Sequence, residues 1–290
     1  MDWRPTLAGK VFIVTGAGNG LGRAHALALA AAGAMIVVNN RWRDQSQRPS
    51  ADVVVDEIKA AGGQGCASLH AVEDPASGAA MVALALDRFG RLDGVVANAG
   101  VPEAASFGRM TLEAFRAVFD VNFLGTLHVV HAAWRVLLAQ KSGRVVVSTS
   151  SAGLHGNRGM AGYSSSKAAL IGLTRALALE GEAANVKINA VAPYAATAMT
   201  AAYISSEAAR HLTPEAPAAL VAWLMSEACD VSGRVLIAGG DWLRHARMVE
   251  GDIVQVGGDI AQAVHAAMAS PRHTDYAHAT AAFQAFLEPR

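Results

Sequence analysis

Tyr163 and Lys167 stand four residues apart, the spacing that puts two side chains on one face of a helix. An ammonium beside a phenol stabilises the phenolate and lowers the tyrosine pKa from its ordinary value of about 10. Such a pair could exchange a proton with a carbinol or a carbonyl near neutral pH. The same spacing also occurs on exposed helix faces that do no chemistry, so its company decides. Ser150 lies thirteen residues before Tyr163, and Asn122 lies further upstream. Near the start of the chain, Val11–Thr15 runs into Gly16-Ala17-Gly18-Asn19-Gly20-Leu21-Gly22 and then an alanine-rich stretch. That is a glycine turn at a helix N-terminus, where backbone N–H groups and the helix dipole can face a pyrophosphate. Its spacing reads TGxxxGxG rather than GxGxxG; a tight strand-to-helix turn without a ligand is the plain alternative.

These residues need elements to position them. Short β-branched runs alternate with alanine- and leucine-rich stretches, the pattern of strands joined by crossover helices in a parallel sheet. Strands are predicted near Val11–Thr15, Met35–Asn39, Gly65–Leu69, Gly94–Ala97, Arg144–Ser148, Lys187–Val191 and Val235–Ile237. Helices are predicted over Leu21–Ala32, Ala51–Ala61, Ala76–Phe89, Leu112–Leu138, Tyr163–Glu182 and Pro217–Met225. The fold class is therefore α/β, a Rossmann-type doubly wound parallel sheet of about seven strands with helices on both faces. Residues 1–245 form one dinucleotide-binding and catalytic domain. The C-terminal extension 246–290, expected near the substrate site or a subunit interface, offers Val249–Gly258 as a short strand and turn, and Ile260–Ala267 and Thr280–Leu287 as helices. Its His273 and His278 read as solvated, with no third ligand to make a metal site.

Composition closes off other classes. The 290 residues are 52% hydrophobic and 17% charged, with 24 Lys+Arg against 24 Asp+Glu, so the basic excess that non-specific nucleic-acid binding depends on is missing. Cys66 and Cys229 give neither a disulfide framework nor metal spacing. No basic secretion leader precedes the first apolar run, and Gly, Asn, Asp or Arg breaks every run before the ~18 residues of a membrane span. A cytoplasmic chain with a small-molecule substrate, no nucleic acid, no membrane and no metal is expected.

The glycine turn, Asn98-Ala99-Gly100, Asn122, Ser150, Tyr163 and Lys167, all in order, resemble the short-chain dehydrogenase/reductase family over residues 7–245. The resemblance implies that Gly16, Gly18, Asn19, Gly20, Leu21 and Gly22 bind the diphosphate of NAD(P), with Asn98 shoring up the sheet beside the adenosine. It implies that Tyr163 is the acid/base, Lys167 orients the nicotinamide ribose, Ser150 hydrogen-bonds the substrate oxygen and Asn122 holds a water in a proton relay. Asn122 could instead be an ordinary kink or cap residue. Gly100, Pro193 and Thr197 complete the cofactor contacts. Ser148, Ser151, Ser164, Ser165 and Ser166 read as strand-end, turn or helix-surface residues. The flanks around Trp134 and Trp242 resemble more closely the (3R)-hydroxyacyl-CoA dehydrogenase domain of the peroxisomal multifunctional enzyme and its stand-alone bacterial relatives, here without a fused hydratase and so with a single activity.

Three departures qualify the resemblance. Asn40 stands where an aspartate is usual, which removes a charge that would repel a 2′-phosphate. Arg41 could stack on adenine and pair with that phosphate, with Arg43 nearby, so NADP is slightly favoured over NAD. If both arginines are solvated, Asn40 can still hold a ribose hydroxyl and NAD use is preserved. Ala71 replaces an aspartate that contacts adenine in many members, and Tyr194 is expected to thicken the wall beside the nicotinamide. The implied activity is hydride transfer between a secondary alcohol and a ketone, on a 3-hydroxyacyl-CoA or alternatively on a steroid or other hydrophobic alcohol. A non-catalytic cofactor-binding protein is the reading from another class. The helices from Phe115 and from Tyr163 are apolar nearly all round. In the resembled family they pair across a two-fold axis, implying a homodimer or homotetramer.

Overall fold

The computed structural model describes residues 6–43, 47–102, 105–201, 204–257 and 259–287. The segments expected to set specificity, 102–109 and 194–212, fall partly outside them at 103–104 and 202–203, as does the Met1–Pro5 stretch read for a leader.

Strand β1 (Val11–Thr15) is buried at all five positions, as a continuous β-branched run must be when helices cover both faces of its sheet. It is followed by α1 (Gly20–Ala31), β2 (Met35–Asn39), α2 (Ser50–Ala60), β3 (Gln64–Ser68), α3 (Ser77–Phe89) and β4 (Gly94–Ala97). The second half adds α4 (Leu112–Phe119), α5 (Gly125–Gln140), β5 (Gly143–Ser148), α6 (Ser151–His155), α7 (Ala161–Gly181), β6 (Val186–Pro193), α8 (Ser206–His211), α9 (Glu215–Leu224) and β7 (Val235–Gly239). The sheet order is β3-β2-β1-β4-β5-β6-β7-β8, with the pairs among β1 to β7 parallel. Its apolar core on one face packs Phe12, Val14, Leu29, Ile36, Ile58, Val221 and Leu224, each worth about 1.5–3 kcal/mol when fully buried.

Two elements differ from expectation. The sheet has eight strands, not seven: β8 (Trp242–Ala246) returns from β7 after two residues, a link that permits only an antiparallel neighbour. Four of its five residues are exposed, so its sequence lacks the apolar signal of the other strands. The single helix expected over Leu112–Leu138 is α4 and α5 joined by a π turn at Asp120–Leu124. Residues 112–140 together are long and apolar enough to cross a membrane by length and hydropathy, yet 44% of that window is buried, against α3, α7, β4 and β5, as in a core helix.

The chain divides into compact units at 1–245 and 246–290. In the second, Val249–Gly258 forms no strand; within it, only Glu250 is bridged, antiparallel to Thr274. The two expected helices are present as α10 (Ile260–Met268), capped by Asp259, and α11 (Ala279–Leu287). His273 and His278 are exposed.

Candidate active site

β1 lies between β2 and β4, so the chain leaves it in opposite directions on its two sides. In an open parallel sheet that switch point opens a crevice at the carboxyl ends of the strands. A cleft of about 420 Å³ occupies it, lined from Gly16, Asn19, Leu21 and Gly22 through Asn98 and Gly100 to Tyr163, Lys167 and Pro193. The glycine turn closes because Gly16 and Gly20 adopt φ of +64° and +50°, and because a Cβ on Gly22 would stand 2.2 Å from the Gly16 carbonyl oxygen. Asn19 caps α1 without a side-chain hydrogen bond. A helix N-terminus with no capping side chain on its first N–H groups thus borders the cleft, which fits the diphosphate of a dinucleotide. The Thr197 methyl lies beside Gly20, and Thr197 is held by its bonds to Thr200.

At the end of β2, the Asn40 Oδ1 accepts from Trp42 N–H at 2.9 Å and shapes the turn, while its Nδ2 faces Gly18. Arg41 does not stand as a solitary cation: its guanidinium is paired with Glu73 from the loop after β3. Arg43 donates to the Gln47 carbonyl and does not line the cleft. Asn98 ties three strands together, its Nδ2 donating to the Thr15 carbonyl and its Oδ1 accepting from Ser148.

At the other end, α6 starts at the close of β5 with Ser150 as its cap, accepting from Ala152 N–H. A Cβ on Gly153 would strike the α7 backbone at Lys167, so glycine there lets α6 lie directly on α7 and brings Ser150 within hydrogen-bonding reach of Tyr163. Burial raises the Tyr163 pKa, and the hydrogen bond with Ser150 pulls it partly back. Lys167 donates from Nζ to the Ser148 carbonyl at 2.7 Å and lies 5.7 Å from the centre of the Tyr163 ring. Burial lowers its pKa to about 8. The expected lowering of the tyrosine pKa by lysine is therefore corrected: the ammonium sits over the ring, bonded to a carbonyl, and loss of water dominates at the phenol.

Asn122 is completely buried in the π turn. Its Oδ1 accepts from Val101 N–H at 2.7 Å, and its Nδ2 donates to the Val101 carbonyl and to Ser166 Oγ. Gly100 has Asn122 Oδ1 on one side and Lys167 Nζ on the other. Ser166, read from sequence as a surface residue, is buried and donates in turn to the Tyr163 carbonyl. Ser148 and Glu73 were likewise missed as cleft residues. Nothing in the spacing marks Ser166, whereas an acid two residues after Ala71 was a visible signal for Glu73. Tyr194 does not line the cleft beside Pro193; its Cβ and carbonyl pack on Gly239.

The short chain dehydrogenase family profile matches residues 10–208. The chain is 42% identical over 252 residues to a short-chain type dehydrogenase/reductase of Mycobacterium tuberculosis, covering 86% of this chain and 88% of that one. It is 39% identical over 243 residues to the peroxisomal multifunctional enzyme type 2 of Mus musculus, covering 82% of this chain but only 33% of that protein. A crystal structure of a short chain dehydrogenase from Mycobacterium avium superposes with a TM-score of 0.83 at 34% identity, over 92% of this chain and 97% of that one. A 7α-hydroxysteroid dehydrogenase complexed with NADH and 7-oxo glycochenodeoxycholic acid superposes with a TM-score of 0.74 at 30% identity, over 81% and 94%.

Proposed function

Because the chain belongs to the short-chain dehydrogenase family, NAD(P)-dependent oxidoreductases of CH–OH groups, we propose that it interconverts a secondary alcohol and a ketone, with a 3-hydroxyacyl-CoA as substrate class. The observation that carries this is the meeting of the Ser150 hydroxyl and the Tyr163 phenol beside a cleft whose far end is a glycine turn. The kinship to multifunctional enzymes of peroxisomes points to the acyl thioester. Bound nicotinamide would accept or donate the hydride.

The chain's own residues handle position and the proton. Ser150 holds the substrate oxygen against Tyr163, and the phenol gives or takes the proton there. Lys167, charged below about pH 8, presents its ammonium beside the tyrosine ring and has donor capacity left for a ribose hydroxyl. Asn122 fixes Gly100 and Val101 next to Lys167, and we place it with Lys167 in a water relay because both flank Gly100. The preference for NADP expected from Asn40 and Arg41 is weakened by the Arg41–Glu73 pair.

The test is turnover with either cofactor on 3-hydroxyacyl-CoA thioesters beside hydroxysteroids, followed by nicotinamide absorbance. Oxidation of the thioesters is expected; activity on steroids alone would move the substrate class to the one favoured by the 7α-hydroxysteroid dehydrogenase likeness. A homodimer or homotetramer is proposed on the exposed apolar face of α7, where Ala168, Gly172, Ala176 and Leu179 follow one another along the helix. Sedimentation returning only a 30.0 kDa species at micromolar concentration would remove it.

A further inference from the structure

We infer that Glu73 is a determinant of cofactor choice, turning the adenosine end of the cleft toward NAD and against NADP. The inference rests on the oxidoreductase reading above. Asn40, Arg41, Trp42, His70, Val72 and Glu73 line one end of the cleft, around the tip of β2 where the adenosine ribose belongs in this architecture. From β2 alone this end looks permissive to phosphate, with an amide in place of a carboxylate and an arginine next to it. The loop after β3 changes that balance, because its Glu73 carboxylate pairs with Arg41.

The pair leaves no net charge where a 2′-phosphate would need a cation. For the phosphate to gain Arg41, either Glu73 must leave it or the dianion must come to rest beside a carboxylate. The backbone that carries Glu73 is not free to withdraw. Asn39 Nδ2 donates to the His70 carbonyl at 2.9 Å, Ser77 Oγ donates to the Ala71 carbonyl, and the His128 ring bonds the Val72 carbonyl at 3.0 Å. Three successive carbonyls before Glu73 are thus fastened to β2, α3 and α5. A ribose with both hydroxyls, by contrast, offers two donors to a site with acceptors at Glu73 and Asn40. An acid supplied from the β3 loop does here what the vacant acidic position at the end of β2 would otherwise do.

The experiment is direct binding of NAD and of NADP to the substrate-free protein, by calorimetry or quenching of tryptophan fluorescence, in wild type, Glu73→Gln, Glu73→Asp and Arg41→Ala. Wild type should bind NAD at least about tenfold more tightly than NADP, and Glu73→Gln should shift the ratio toward NADP by about ten- to a hundredfold, the scale of charge-assisted hydrogen bonds to phosphate. Glu73→Asp should keep the NAD preference. Arg41→Ala should weaken NADP further and leave NAD within about twofold. A Glu73→Gln ratio unchanged, with both affinities moved together, would make Glu73 a structural residue and overturn the inference. So would a wild type that prefers NADP. Binding of neither cofactor would instead overturn the oxidoreductase reading, and this inference with it.

Discussion

The two edges of the sheet bury ionisable side chains in opposite ways. At the edge where the strands begin, Asp93 accepts from Val11 N–H at 2.9 Å and from both arms of the Arg91 guanidinium at 2.8 and 2.7 Å, with Lys10 at 3.7 Å. Arg144, 6% exposed, donates to three carbonyls, those of Ser226, Gly143 and Asn185. At the edge where the strands end, Lys167 is as deeply buried and has one carbonyl for its three protons. The first arrangement satisfies its charges and holds strands together. The second keeps donor capacity in reserve at a cost in stability, the usual sign of a place where a ligand completes the bonding.

The largest effect expected from that contrast is catalytic. Tyr163→Phe deletes the proton carrier and keeps the ring's packing, so kcat should fall about 10²- to 10⁴-fold with cofactor affinity and unfolding midpoint little changed. More than about a tenth of wild-type kcat would mean that another group carries the proton. Asp93→Ala should do the reverse, costing about 3 kcal/mol of stability by leaving Val11 N–H and Arg91 without their acceptor, while kcat per folded molecule holds. Urea melts beside active-site titration would separate the two, and a loss of kcat at full stability would break the division between edges.

His25, on α1 between the edges, is a third case. It is buried with Nδ1 unpartnered, and burial lowers its pKa from 6.5 to about 4. The unfolded chain therefore binds the proton first as pH drops, and stability present above pH 6.5 is lost toward pH 4, about 3 kcal/mol in all. His25→Leu should flatten that slope; an equal acid loss in the variant would assign it to other groups. The smallest effect has the opposite sign to most core mutations. Lys167→Met removes an ammonium that burial disfavours, so at pH 7 it should gain about 2 kcal/mol of stability while turnover collapses. If it loses stability instead, the lysine is as well satisfied as Arg144 and the contrast fails.

The strands and crossover helices of this fold were legible to within a few residues at their ends, because a parallel sheet buried on both faces writes itself as uninterrupted runs such as VFIVT and MIVVN. β8 was not, since WLRHA is exposed and belongs to the sheet only through its hairpin. Tyr163, Lys167, Ser150 and the glycine turn could be picked out by order and offset, and the structure brings them to one cleft. What spacing could not carry was pairing between distant loops. Arg41 looked available for a phosphate until Glu73, thirty-two residues on, came to meet it, and Ser166 looked like a surface residue until Asn122, forty-four residues back, bonded to it. The direction of the Tyr163 shift was hidden for a related reason: sequence shows the neighbouring charge but not the loss of water.

The π turn at Asp120–Leu124 makes the length of this segment a fixed quantity. A helix that widens once to hold Asn122 inward contains one residue more than an ordinary turn would. Deleting any residue there would close the turn and rotate α5 by about 100° relative to α4. Val129, Val130, Ala133 and Leu137, buried now, would swing out of the core together. Exposed loops can gain or lose a residue with little consequence, but a single-codon deletion between 120 and 124 would misphase a sixteen-residue helix, and no side-chain substitution elsewhere could restore the missing register.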